Sequence, residues 1–286
     1  MTDTWAFDAI GTSWQIDTTL PLSSDVRAEI DGCIDGFDRT WSRFRSDSAV
    51  SQMAERAGTW TLEHAAHLLG LYDELHRITE GSVNPLIGRT LSDLGYDAGY
   101  SLTPATRPAD VPAWTNVQRS GDTITTTQPV LIDVGAAGKG LLVDLIASIL
   151  SEHGIDQATI DASGDLYHRG TTPIRVALEH PDDPTRAIGV VVLEPEDALC
   201  GSATNRRAWG DGLHHVLDAR TGRPTADVVA TWVIVPHSCM IADGLATAHF
   251  VAPPETLLEA VPHRFVRVHA DGTVTWSPDL PGEVFK

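Results

Sequence analysis

Four segments of this chain concentrate residue types that do chemistry. The first is Asp133-Val-Gly135-Ala-Ala-Gly138-Lys139-Gly140, which precedes an apolar helix. A strand running into a glycine-rich turn, with lysine at the helix start, presents unpaired amides and a positive charge, which suits a phosphate. The P-loop template fails: Asp133 stands at its first glycine, and Gly140 follows the lysine where Ser or Thr is required. The dinucleotide fingerprint fails too, because the order is GxxGxG. A tight strand-to-helix connection explains the same residues without a ligand.

The second segment is Asp161-Ala-Ser163-Gly164-Asp165, after a short strand at 158–160. It reads either as a ligand-facing turn or as an ordinary Asx-turn. The third, His214-His215-Val-Leu-Asp218-Ala-Arg220-Thr-Gly-Arg223-Pro224, carries more His, Asp and Arg than a turn needs. Histidine can shuttle protons near neutrality and arginine can hold phosphate oxygens; the bland reading is a solvated loop. The fourth pairs Asp243 with Thr247, which face the same way on a helix. Buried among apolar residues, Asp243 needs compensation, and one carboxylate, one hydroxyl and backbone carbonyls suit magnesium. The competing reading makes Asp243 an N-cap, with Thr247 bonding back to a carbonyl. A fifth, weaker signal is Phe44 between Arg43 and Arg45, an aromatic that could stack on a planar ligand.

The elements that must position these residues are partly visible. Val26, Ile30, Ile34, Phe37 and Trp41 form one apolar stripe after the cap candidate Ser24. Leu62 to Ile78 forms a second, closed by Gly81. Leu141 to Leu150 is apolar nearly all round and reads as a buried helix, and a fourth helix covers about 241–251. Strands are expected near 4–10, 174–178, 188–193 and 228–235. Residues 264–276 read as a hairpin with a type I′ turn at Asp271-Gly272. Without regular βα alternation, the fold class is α+β: one domain over 1–286, with a largely antiparallel sheet and packed helices.

The chain has 286 residues, with 20 Lys+Arg against 39 Asp+Glu for a net charge of −19. That excess opposes nucleic-acid binding. No apolar run reaches the ~18 residues of a transmembrane helix. Met1-Thr2-Asp3 lacks the basic and apolar regions of a signal peptide, so the expectation is a cytoplasmic protein, or an exported one whose leader was removed. Cys33, Cys200 and Cys239 form no disulfide framework or zinc motif and read as small hydrophobes. His64 and His67 read as a surface pair.

In order along the chain, these segments resemble the FAD:protein FMN transferase (ApbE) family. The matching runs are Ile10-Gly11-Thr12; Ser42-Arg-Phe44-Arg-Ser-Asp-Ser48; Asn84-Pro-Leu-Ile-Gly88 with Leu94-Gly-Tyr96-Asp97; Asp133 to Gly140 with Asp144; Ser163-Gly164-Asp165; His215 to Pro224; and Ala242 to Thr247. The resemblance implies an ApbE/T-fold-like architecture. It also implies cleavage of the FAD pyrophosphate and passage of FMN to a Thr or Ser hydroxyl of an acceptor flavoprotein, with AMP released. It implies Mg²⁺ held by Gly138 (through its carbonyl), Asp243 and Thr247. His215 becomes the candidate for proton transfer, beside Asp243. Thr12, Phe44, Lys139, Asp144, Gly164, Asp165, Ser202, Arg220 and Arg223 become FAD-binding candidates. Three departures stand out: Phe44 for a tyrosine, Asn84 for an aspartate, and Gly201 for a hydroxyl residue. They motivate an alternative, a member that binds FAD or hydrolyses it to FMN and AMP without modifying a protein. Setting the resemblance aside, a nucleotide-dependent oxidoreductase using Asp133–Gly140 and Asp161 is a third reading, opposed by the glycine order.

Overall fold

The computed structural model describes residues 3–285. Its backbone is an eight-stranded sheet, antiparallel at every pairing. Among the described residues there are also four smaller sheets of two or three strands, referred to by residue where they matter. In chain order the principal strands are β1 (Asp3–Ala9), β2 (Thr12–Thr18), β3 (Ala158–Asp161), β4 (Asp165–Arg169), β5 (Asp197–Ala203), β6 (Val228–Pro236), β7 (Arg264–His269) and β8 (Val274–Trp276), and they lie side by side in that order.

Both faces of the sheet are covered, and alternation along the strands decides what each residue meets. On β5, Ala198 and Cys200 join the large core, while Leu199 joins a second cluster. On β6, Val233 and Val235 face the large core, and Ala230 and Ile234 face the second. A small sheet built from Ile174–His180, Asp183–Leu193 and Gly282–Val284 supplies Leu178, Ile188, Val191 and Leu193 to that second cluster. Double burial is why 228–235 reads as one unbroken β-branched run rather than an alternating one.

The helices occupy the other face. They are α1 (Ser24–Trp41), α2 (Ala49–Glu55), α3 (Ala65–Ile78), α4 (Gly88–Asp93), α5 (Gly138–Glu152), α6 (Cys239–Ala248) and α7 (Pro254–Ala260). Ser23, not Ser24, caps α1, accepting from Val26 N at 3.3 Å. The second stripe starts three residues later than its first apolar residue, because His64 sits at φ 64° and breaks the helical run. Gly140 lets α5 and α6 touch backbone to backbone; a Cβ there would lie 2.4 Å from the Cys239 carbonyl oxygen.

Two turns correct the sequence reading. At 269–273 only Gly272 has a positive φ, with Gly272 N on His269 O and His269 N on Thr273 O. A type I′ turn needs two left-handed residues, so this is a three-residue loop with glycine in the bulge position. The two-residue turn with both φ positive is Ile10-Gly11 (44° and 77°), between β1 and β2. A β-branched residue there is strained, and such strain collects at ligand sites.

Beyond the end of α6, His249 and His263 are buried and face each other, Nε2 to Nε2 at 2.8 Å. His263 uses Nδ1 to donate to Val261 O at 2.6 Å. Its Nε2 must then accept from His249, which leaves His249 Nδ1 as a buried lone pair without a partner.

Candidate active site

A cavity of about 1040 Å³ opens where these elements converge. Its volume matches the upper end of small-molecule pockets. Of the residues singled out from sequence, Thr12, Phe44, Gly138, Lys139, Gly164, Ser202, His215, Asp243 and Thr247 all line it, although they span more than two hundred positions.

At its base, α5 and α6 meet. Asp243 is 6% exposed, and its Oδ2 accepts the Gly140 amide at 3.0 Å. It sits mid-helix, and the N-cap of α6 is Ser238, accepting from Ile241 N. The capping alternative for Asp243 is therefore wrong. Among the described residues, Asp243 Oδ1 and the Thr247 hydroxyl take part in no hydrogen bond, and both residues line the cavity. Beside them, Lys139 Nζ lies 2.7 Å from Asp165 Oδ2 and donates to Ala162 O at 2.8 Å. Asp165 is fully buried. Burial, then the nearby Asp165 charge, push the Asp243 carboxyl well above the usual range. Burial likewise raises that of Asp165, against the pull of Lys139. Burial alone would lower Lys139, but the two carboxylates outweigh it and raise it.

Two buried carboxyls share one ammonium, so the second needs a proton or a cation in this desolvated corner. Among the described residues no group of three or more His, Cys, Asp or Glu is arranged to hold a metal ion. A cation here would be held by one carboxylate with hydroxyl and carbonyl oxygens, a donor set that suits a hard divalent ion.

One wall is aromatic. Phe44 stacks on Tyr100 (5.3 Å, 10°) and meets Tyr96 edge-on (5.3 Å). The Arg43 guanidinium lies 4.2 Å from the Phe44 ring centroid and is tied to Asp133 by a buried ion pair and to the Tyr96 carbonyl at 2.6 Å. Tyr100 is a contributor the sequence reading missed; only its closeness to Tyr96 hinted at it.

His215 lines the same wall, edge-on to Tyr96. Its Nδ1 is buried without a partner. Burial lowers its pKa to about 4, so the imidazole is neutral and proton-accepting at pH 7. Its amide donates to Arg207 O at 3.1 Å, which fixes it against the turn Thr204–Arg207.

That turn adds Arg206 and Arg207 to the lining, beside Arg43 and Arg45 from just past the end of α1. Arg220 and Arg223, expected from sequence, do not line it. Arg220 is exposed and bound to Asp218 at 3.0 Å, and Arg223 is exposed. Asp165 and Asp144 are also absent from the lining: Asp165 lies behind Lys139, and Asp144 holds the start of α6. Thr12 accepts from Trp14 Nε1 at 3.1 Å. Gly164 N donates to Asp161 Oδ1 at 3.0 Å, so the segment is an Asx-turn, and that turn lines the cavity.

Two departures have local reasons. A Cβ at Gly201 would fall 2.9 Å from Trp232 Nε1, and Trp232 takes that part of the wall. Asn84 accepts from Leu86 N and donates Nδ2 to Pro112 O at 3.0 Å, a bond no aspartate could give.

The profile of the ApbE family matches residues 10–269. The chain belongs to the ApbE family. Among ApbE relatives, the FAD:protein FMN transferase of Vibrio cholerae serotype O1 is 27% identical over 252 residues, covering 82% of this chain and 75% of the relative. That of Klebsiella pneumoniae is 24% identical over 298 residues, covering 93% and 85%. Solved ApbE structures share the fold. The Thermotoga maritima ApbE protein superposes with a TM-score of 0.82 at 22% identity, over 97% of each chain. The apo flavinyl transferase ApbE of Pseudomonas stutzeri gives 0.83 at 19%, over 99% and 98%. Among the described residues of this ApbE chain, no helix is long and apolar enough to cross a membrane.

Proposed function

We propose that this protein is a magnesium-dependent FAD:protein FMN transferase, passing FMN from FAD to a Thr or Ser hydroxyl of an acceptor flavoprotein. The observation that carries the reading is the base of the cavity: a mid-helix, buried Asp243 with a free oxygen and an unbonded Thr247 hydroxyl, beside the first turn of α5. The names of the ApbE relatives support the activity.

In this reading the isoalloxazine lies along Phe44 and Tyr100, where stacking needs no phenol on residue 44. Arg206 and Arg207 hold the diphosphate, and the Gly164 turn bounds it. Asp243, Thr247 and the Gly138 carbonyl would hold Mg²⁺, which would supply positive charge to offset that on the phosphates. The acceptor oxygen bonds to the FMN-side phosphorus, the bridging P–O bond breaks, and AMP leaves with that oxygen. His215, neutral and with an unpartnered nitrogen, takes the acceptor's hydroxyl proton.

Incubation with FAD, Mg²⁺ and a candidate acceptor domain tests this directly. Intact mass should show the acceptor gaining one FMN, with stoichiometric AMP. AMP and free FMN without acceptor gain, across several acceptors, would convert the assignment to an FAD pyrophosphatase.

A further inference from the structure

Asp144 lies outside the cavity lining yet collects three hydrogen bonds from the start of another helix. Its carboxylate accepts from Cys239 N at 2.7 Å, Met240 N at 3.0 Å and Ser238 Oγ at 3.1 Å. The side-chain cap of α6 is already supplied by Ser238, so Asp144 is a second acceptor, reaching over from α5. It satisfies amides that a helix otherwise leaves to water, and its charge suits the positive end of α6.

One turn earlier on α5, Gly140 donates to Asp243 at 3.0 Å. Residues 140 and 144 share a face of α5. Their partners, 243 and 239–240, are likewise about one turn apart on α6. The two helices are thus pinned at two heights, and the missing Cβ of Gly140 lets them come close enough for both pins. A slip of one residue on α6 would turn Asp243 by about 100° and move it about 1.5 Å along the axis.

We propose that Asp144 is a positioning residue for the metal: by fixing the register of α6 on α5, it sets the spacing between the Gly138 carbonyl and the Asp243 and Thr247 side chains. This rests on the magnesium-dependent reading above. Its effect is on the assembly of the ligand set, without contact to FAD.

The test compares Asp144→Asn and Asp144→Ala with the unaltered protein and with Val50→Ala, a buried change on α2 that loses stability elsewhere. Asparagine is isosteric and keeps one acceptor oxygen, but its Nδ2 meets an amide donor. Mn²⁺ is titrated into each protein with FAD present, following the free-ion EPR signal, and amide exchange is read at Met240. The expected result is weaker Mn²⁺ binding for Asp144→Ala, by about 10–100-fold as for other supporting residues around metals. Asp144→Asn should be intermediate, both should exchange faster at Met240, and Val50→Ala should bind as the unaltered protein does. A folded Asp144→Asn or Asp144→Ala with faster exchange but unchanged Mn²⁺ affinity would overturn the inference and leave the metal reading standing. Absence of Mn²⁺ binding by the unaltered protein would remove the metal reading, and the inference with it.

Discussion

The Gly140 amide points into the Asp243 carboxylate across 3.0 Å, joining the first turn of α5 to the middle of α6. That contact exists because residue 140 has no side chain. Gly140→Ala would drive a methyl group against the Cys239 carbonyl, which is backbone and cannot rotate away. The expected cost is about 1–3 kcal/mol of stability, as for overpacking, with loss of turnover exceeding what the unfolded fraction explains. Denaturant melts and acceptor flavinylation, measured side by side, check both.

Lys139 faces the cavity, but it first compensates Asp165. Lys139→Met strands a fully buried carboxylate and should cost about 3–5 kcal/mol. The double variant Lys139→Met with Asp165→Leu should recover most of that stability. If Lys139→Met alone unfolds no more easily than the unaltered protein, Lys139 is held for ligand binding and not for Asp165.

Phosphate binding separates two pairs of arginines. Arg207→Ala should raise the KM for FAD about tenfold or more, the worth of one charged hydrogen bond. Arg220→Ala should change it less than about twofold, because Arg220 serves Asp218 outside the cavity. Steady-state kinetics with saturating acceptor decide this, and equal effects would return Arg220 to the site.

For His215, the lowered pKa sets the sign of the pH response. As pH rises above about 4 the imidazole loses its second ring proton and is neutral. As a base it stays competent from neutrality down through pH 5, and kcat/KM should fall only as pH approaches that value. An acid limb centred near the ordinary histidine pKa would remove His215 from proton transfer. His215→Ala should lose about 10²–10⁴-fold in rate.

The helices and most strands were legible because they answer to local periodicity. The stripe through Val26, Ile30, Phe37 and Trp41 matches α1, and the apolar 141–150 run lies inside α5. The Asp243/Thr247 pair was legible for a related reason: a carboxylate within an apolar helix needs a cause. Arg220 and Arg223 fall outside the cavity lining, and residue type does not say which way a loop faces. Arg220 has Asp218 two positions back, and that local partner keeps it at the surface. Arg206 and Arg207 carry no pattern of their own; the Arg207 carbonyl accepts from the His215 amide, and its guanidinium donates to the distant Gly11 carbonyl. The type I′ turn was misplaced for the opposite reason. Asp-Gly is the stronger local signal, yet at Ile10-Gly11 the two-residue connection from β1 to β2 overrides the dislike of isoleucine for a left-handed backbone.

The paired imidazoles beyond α6 give the fold an acid floor independent of catalysis. Burial and the second ring lower His249 to about 2, against about 6.5 in an unfolded chain. The unfolded chain therefore takes up a proton that the native state refuses. The stability this pair contributes is complete above pH 6.5 and drains away as pH falls below it, by about 1.4 kcal/mol for the first pH unit. Urea midpoints at pH 7.5 and 5.5 should show the loss, and His249→Phe should flatten it. An organism that moved this enzyme into an acidic compartment would first have to rebuild that corner, long before His215 lost its proton-accepting form.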